Sequence, residues 1–165
     1  MAAGNTYESI ATQTLGSAAA SVTFSSISGS YTDLVLIGQI KGTASTFLNL
    51  QFNGDTASNY SRIVLAGQGT VAASELRSNR TAINTEYFQT IQTNFNYITR
   101  INIMNYSNST TYKTVLCRPD NAANGTGATV GLWRSTSAIT SVTLLAENNS
   151  FDIGTTFSLF GIKAA

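Results

Sequence analysis

Eight carboxylates are the side chains of this sequence that could carry acid–base chemistry. Two of them at a suitable separation would serve glycoside hydrolysis, in which one acid protonates the leaving group and the other acts as base or nucleophile. No pair is marked out by flanking aromatic residues, so we expect these acids to be solvated or to cap turns. The eight are Glu8, Asp33, Asp55, Glu75, Glu86, Asp120, Glu147 and Asp152.

Histidine is absent, which excludes Ser-His-Asp and Cys-His arrangements and removes the commonest metal ligand. The single cysteine, Cys117, cannot form an internal disulfide or a cysteine-based zinc site. It lies in a predicted strand, residues 114–118, where a thiol is usually a small buried hydrophobe. Gly67-Gln68-Gly69 is only a fragment of a dinucleotide-binding motif and predicts a hairpin turn instead. We therefore expect no catalytic residue, no metal and no cofactor.

Two aromatic residues are candidates for contact with a glycan or a protein partner. Trp133 lies in the predicted strand 129–134, where it would stack on a sugar if exposed and would otherwise pack in the core or at a sheet edge. Tyr60 is a second candidate, as a surface tyrosine. Both interpretations of these rings remain open from the sequence.

The composition describes a neutral surface. Charged residues make up 10% of the 165 residues, against a usual value of ~25%, and the formal net charge is +1. Ser, Thr, Asn and Gln together number 64. Neutral side chains lose less on leaving water than ions do, so this surface suits contact with other proteins, and a neutral monomer is the alternative. Nine evenly spread basic residues do not make the positive face that nucleic-acid binding requires.

Alternation of apolar and polar residues predicts the elements that must position these side chains. Leu48, Leu50 and Phe52 share one face of a strand that ends at an Asn-Gly turn, and Ile101 and Ile103 share one face of another. We count about nine such strands; residues 82–98 are ambiguous between a short helix and a strand or loop, and their Thr and Asn content favours the latter. The expected fold is an all-β, antiparallel β-sandwich, jelly-roll-like, with an immunoglobulin-like sandwich as the alternative.

A single domain is expected. Residues 1–20 are predicted to form an N-terminal extension or arm, and residues 21–165 a single β-sandwich domain. The first eight residues lack the basic and apolar segments of a signal peptide. No apolar run approaches the ~18 residues of a membrane span, so no membrane partner is expected.

Several motifs resemble small structural proteins of tailed bacteriophages. WRSTSAITSVTL at residues 133–144 and FDIGTTFSLFGI at residues 151–162 carry most of the resemblance, and YTDLVL at 31–36, LQFNGD at 50–55 and NYS at 59–61 match the same group. The resemblance spans about residues 22–163. These are strand and turn motifs, so they indicate the family without naming any residue that does chemistry.

The resemblance implies a non-enzymatic virion protein, either a capsid decoration (cement) protein or a tail-fibre or appendage domain. It also implies a β-sandwich that often assembles as a homotrimer. The chain has no coiled-coil shaft and no long repeats, which favours a decoration protein that binds and stabilises the head shell. The expected partners are the major capsid protein or other virion proteins, and the expected location is the virion, assembled in the host cytoplasm. The alternative is a fibre-tip domain that recognises a host receptor or glycan.

Overall fold

The computed structural model describes residues 6–88 and 90–163, and that part of the chain contains strands and no helix. The predicted all-β class is therefore confirmed. The strands are β1 (Tyr7–Thr14), β2 (Ser21–Phe24), β3 (Asp33–Ile40), β4 (Leu48–Phe52), β5 (Tyr60–Gln68), β6 (Val71–Arg80), β7 (Ile83–Asn84), β8 (Tyr97–Met104), β9 (Lys113–Asn121), β10 (Gly125–Trp133), β11 (Val142–Ala146) and β12 (Thr156–Ile162).

The strands form two antiparallel sheets that pack as a sandwich. The larger sheet has the order β1-β12-β3-β8-β9-β10-β5-β6, and the smaller has the order β2-β11-β4-β7. Without β1, β12 and the β9–β10 hairpin, the larger sheet becomes β3-β8-β5-β6. Along the chain, β2, β4, β7 and β11 lie in the smaller sheet, and β3, β5, β6 and β8 lie in the larger sheet. The chain therefore passes repeatedly from one sheet to the other, as in an eight-stranded jelly roll. The predicted jelly-roll-like sandwich is thus confirmed, with one hairpin inserted between β8 and β5.

The core forms where the alternating apolar residues of both sheets meet. Leu48, Leu50 and Phe52 of β4 are fully buried, as are Ile101 and Ile103 of β8. These are the faces that the alternation predicts, because successive side chains of a strand point to opposite sides of the sheet. The predicted pairing of the strands on either side of the turn at residues 107–111 is also confirmed as the β8–β9 hairpin.

The strand count and two boundaries differ from expectation. The described residues contain twelve strands rather than about nine. β6 was not predicted, because most of its residues are exposed and it has no buried apolar face to produce alternation. The loop predicted over 120–127 is shorter, since β9 continues to Asn121 and β10 begins at Gly125. Within residues 82–98, the described part holds the short β7, the start of β8 and irregular chain between them, which agrees with the favoured interpretation.

The first described residues lie at one edge of the larger sheet. The segment 1–20 was expected to be an extension or arm, and residues 1–5 of it lie outside the described part. Within it, β1 pairs with β12 in antiparallel register. An ion pair between Glu8 and Lys163 joins the two strands further. The chain therefore enters and leaves the described fold side by side.

Candidate functional site

The two aromatic residues expected to contact a glycan or partner lie inside the sandwich. Tyr60 begins β5 and Trp133 ends β10, directly opposite it in the sheet. Their rings stack with centroids 6.4 Å apart, and Phe52 packs against both. Tyr60 is fully buried and Trp133 is only 2% exposed. Neither ring offers a face to a sugar or to another protein.

Asp55 accepts hydrogen bonds from the polar groups of the two buried rings, the Trp133 indole N–H and the Tyr60 hydroxyl. Its Oδ2 accepts hydrogen bonds from Trp133 Nε1 at 2.7 Å and from Asn59 Nδ2 at 2.9 Å. Its Oδ1 accepts one from the amide of Ala57, and its carbonyl accepts one from the Tyr60 hydroxyl. Burial alone would raise the pKa of Asp55, but these donors hold that pKa below its usual value. We refer to Asp55, Tyr60 and Trp133 as the Asp55 cluster, and its bonding is that of a structural unit.

A charged cleft opens two residues further along β5. It lies where β5 and the edge strand β6 of the larger sheet meet β4 and β7 of the smaller sheet, and it encloses about 270 Å³. The chain has nine basic and eight acidic residues, and six of these line this one cleft. The cleft thus gathers charges of both signs in a chain that is otherwise poor in charge. The six are Arg62, Glu75, Arg77, Arg80, Glu86 and Glu147.

A close approach of the two sheets positions one wall of the cleft. Gly131 of β10 faces Ile83 of β7, and a Cβ at Gly131 would lie 2.7 Å from the Ile83 side chain. The absence of a side chain therefore lets β7 settle against the larger sheet. This contact places Asn84 and Glu86, which follow Ile83 in the sequence, beside the cleft.

Arg62 is the centre of the ionic contacts in the cleft. It points inward from β5 and is 8% exposed. Its Nη2 donates to Glu75 Oε2 at 2.7 Å, and its Nη1 donates to Asn84 Oδ1 at 3.1 Å and to the carbonyl of Glu86. Arg77 Nε lies 2.8 Å from the same Glu75 oxygen. The hydrogen bond from Arg77 and the charges of both arginines hold the pKa of Glu75 below its usual value.

Glu86 is fully buried at the inner side of the cleft. The amide of Leu48 donates to its Oε2 at 3.2 Å. Burial raises the pKa of Glu86 well above its usual range, and the neighbouring Tyr97 hydroxyl, the Leu48 amide and the charge of Arg62 offset only part of this effect. Its other oxygen, Oε1, and Arg62 Nε are buried without a hydrogen-bond partner. Native proteins pair most such atoms, and the other two buried unpaired atoms among the described residues are the Tyr97 hydroxyl, next to Glu86, and Thr99 Oγ1.

The acids of the cleft were not identified as a group from the sequence. Glu75, Glu86 and Glu147 come from β6, from the chain after β7 and from the chain after β11, with no common motif. The only sequence signal was the run of Glu75, Arg77 and Arg80 in a chain otherwise poor in charge. Within residues 6–88 and 90–163, no three His, Cys, Asp or Glu side chains are placed to hold a metal ion.

An aliphatic patch covers the opposite face of β5 and β6 and extends onto β10 and β9. Leu76, Ile63, Val130 and Leu116 are consecutive partners across β6, β5, β10 and β9, so they form one row on the outer face of the sheet. They are between 40% and 69% exposed, and Leu65, two residues after Ile63, is also exposed. These five residues constitute the aliphatic patch.

Two further expectations are confirmed. Cys117 is buried, and burial raises the pKa of its thiol, so it is an inert core residue. Gly69 adopts a positive φ of 56° between β5 and β6, which places Gly67-Gln68-Gly69 at a hairpin turn. Among the described residues, no helix has the length and apolar character needed to cross a membrane.

Comparison with known proteins adds no functional assignment. No protein-family model matches this chain, and no curated protein matches it. One similar solved structure is the crystal structure of a protein of unknown function from Shewanella oneidensis MR-1. The alignment covers 98% of this chain and 77% of that chain, with 9% identity and a TM-score of 0.31. A likeness this weak supports no conclusion about the present protein.

Proposed function

We propose that this protein is a non-enzymatic structural protein of a tailed-bacteriophage virion, a capsid decoration protein that binds and stabilises the head shell. The phage-like motifs at residues 133–144 and 151–162 support the family. The observation that supports the binding role is the aliphatic patch on the outer face of the larger sheet.

The patch has the physical properties of a protein-binding surface. Contiguous exposed aliphatic side chains on a flat sheet are uncommon in monomers that have no partner. Fully burying one such side chain contributes ~1.5–3 kcal/mol, and four of them form a single row. Ser74, directly opposite Leu65, can be covered without removing an ion from water, and the exposed charge nearest along β9 is Arg118, two residues after Leu116. We propose that the patch binds the major capsid protein, and that the protein assembles there as a homotrimer.

The location of the protein in virions tests this function. Virions of the phage that encodes the chain would be purified, and gold-labelled antibodies against the protein would be imaged by electron microscopy. Label on the head supports the proposal. Absence from the virion contradicts it. Label confined to the tail also contradicts it and favours the alternative, a fibre or appendage domain for host recognition.

A double substitution in the patch tests whether the patch is the surface that binds the head shell. Leu65→Ser with Ile63→Thr should weaken binding to heads that lack the protein by at least tenfold, measured by cosedimentation. Ile153→Thr is the matched control, because Ile153 is 58% exposed but lies outside the patch, before β12. Equal binding by the patch variant and the control would show that the patch is not the capsid-binding surface.

A further inference from the structure

The charged cleft has more hydrogen-bonding groups than its own residues use. The Arg77 side chain is paired only through its Nε, and the Arg80 side chain makes no ion pair or hydrogen bond within residues 6–88 and 90–163. Both side chains are exposed at the cleft. Two exposed guanidinium groups lining one cleft offer several hydrogen-bond donors to a carboxylate or a similar anion.

The buried polar groups on the inner side of the cleft are incompletely paired. Arg62 Nε and Glu86 Oε1 have no hydrogen-bond partner, and both residues line the cleft while being more than nine-tenths buried. Leaving a buried polar atom unpaired is unfavourable, and such atoms persist mainly where a bound group or a function requires them.

The remaining lining residues indicate a ligand with hydroxyl groups and an apolar side. Asn49 lines the cleft with its side-chain amide unbonded among the described residues, and the Glu147 carboxylate provides an acceptor. The half-buried rings of Phe47 and Tyr87 provide apolar surface. Amide, carboxylate and aromatic groups together suit the hydroxyls and C–H faces of a sugar ring.

Charge and size narrow the ligand class further. Three arginines line the cleft together with three glutamates, and burial raises the pKa of Glu86 well above its usual range, which lessens the negative charge of the cleft and favours an anionic ligand. Its volume of about 270 Å³ is slightly below the ~300 Å³ at which pockets begin to take drug-sized molecules, which leaves room for one or two sugar rings.

We infer that this cleft binds a carboxylated sugar, with the carboxylate on Arg77 and Arg80 and the ring hydroxyls on Asn49 and Glu147. The cleft and the aliphatic patch lie on opposite faces of β5 and β6, because Arg62 and Ile63 point to opposite sides of the sheet. The sugar site thus stays accessible when the patch is covered. This inference goes beyond the proposed head-binding role and does not depend on it.

Isothermal titration calorimetry of the full chain with a matched pair of sugars tests the inference. The probes are trigalacturonic acid and galactotriose, which differ in having a carboxylate or a hydroxymethyl group on each ring. We expect the acid to bind at least tenfold more tightly than the neutral sugar. No binding of the acid, or equal binding of both sugars, would overturn the inference.

Two variants with a control assign the contacts. Arg80→Gln should weaken binding of the acid at least tenfold, whereas Arg118→Gln should leave it unchanged, because Arg118 is also exposed in the larger sheet but lies outside the cleft. Asn49→Ala should weaken binding of trigalacturonic acid about fivefold or more and leave any binding of acetate unaffected. Equal effects of the Arg80 and Arg118 variants would contradict the site.

Competition distinguishes a sugar site from other anion sites. Sodium acetate, sulfate and a tetraglutamate peptide would each be titrated against bound trigalacturonic acid. Weak displacement by all three supports the carboxylated sugar. If acetate or sulfate binds as tightly as the sugar acid, the cleft is an anion site only and the inference fails. If the peptide binds more tightly, the ligand is an acidic peptide and the inference also fails.

Discussion

The Asp55 cluster and the charged cleft begin two residues apart on β5, at Tyr60 and Arg62, yet they differ in how completely their polar atoms are paired. In the Asp55 cluster, the Trp133 indole and the Tyr60 hydroxyl both have hydrogen-bond partners. In the cleft, Arg62 Nε and Glu86 Oε1 have none, although both are buried. The comparison teaches that a conspicuous aromatic pair can be entirely structural, while an incomplete polar network beside a cavity is the better indicator of a binding site.

Removing the tryptophan should have the largest effect on stability. Trp133→Ala leaves a cavity beside Phe52 and Tyr60 and removes a donor from Asp55, so we expect a loss of about 3–5 kcal/mol in the free energy of unfolding. Trp133→Phe keeps most of the packing and should lose only ~1–3 kcal/mol. Urea unfolding followed by circular dichroism measures both. A loss below 1 kcal/mol for the alanine variant would mean that the cluster is not structural.

Replacing the buried acid of the cleft should change the pH dependence of stability. The pKa of Glu86 is raised in the folded state, so the folded protein keeps a proton that the unfolded chain releases above the ordinary value of 4.5. Stability therefore falls as the pH rises from that value towards the raised pKa, by up to about 1.4 kcal/mol per pH unit. Glu86→Gln retains an acceptor for the Leu48 amide and removes this slope.

The free energy of unfolding of the unmodified protein and of the Glu86→Gln variant, measured at about pH 5 and about pH 8, tests this expectation. The variant should be the more stable of the two at the higher pH. Tyr97 and Cys117 also interact with Glu86, but their pKa values are raised away from this pH range, and Arg62 and Glu147 are common to both chains. If the free energy of unfolding depends on pH in the same way for both proteins, Glu86 is ionised throughout this range and paired with Arg62.

The smallest effect on stability is expected at the mouth of the cleft. Arg80 is exposed and makes no ion pair among the described residues, so Arg80→Gln should change the free energy of unfolding by less than ~0.5 kcal/mol. Thermal unfolding by differential scanning fluorimetry is sufficient to detect a larger change. A substantial loss would mean that Arg80 belongs to a structural network, like the residues of the Asp55 cluster.

The fold was more predictable than the site because alternation reports burial directly. β4 and β8 alternate between buried and more exposed residues and were predicted with the correct inward faces. β6 does not, because one of its faces bears the charged cleft and the other the exposed patch, and so it was missed. The cleft itself joins residues as far apart as Arg62 and Glu147, which no local pattern connects. The aliphatic patch depends on the register of four strands, and register is set by turns and by the whole sheet.

The pairing of β1 with β12 has a practical consequence for studying this molecule. The amide of Lys163 donates to the carbonyl of Thr6, so the first and last described residues are adjacent at one margin of the larger sheet. β6 forms the other margin, seven strand spacings away, which is ~34 Å at ~4.8 Å per spacing. A fluorophore or surface tether attached at Thr6 or Lys163 would therefore sit far from β6, and protein immobilised there would keep both of its proposed binding surfaces open to solution.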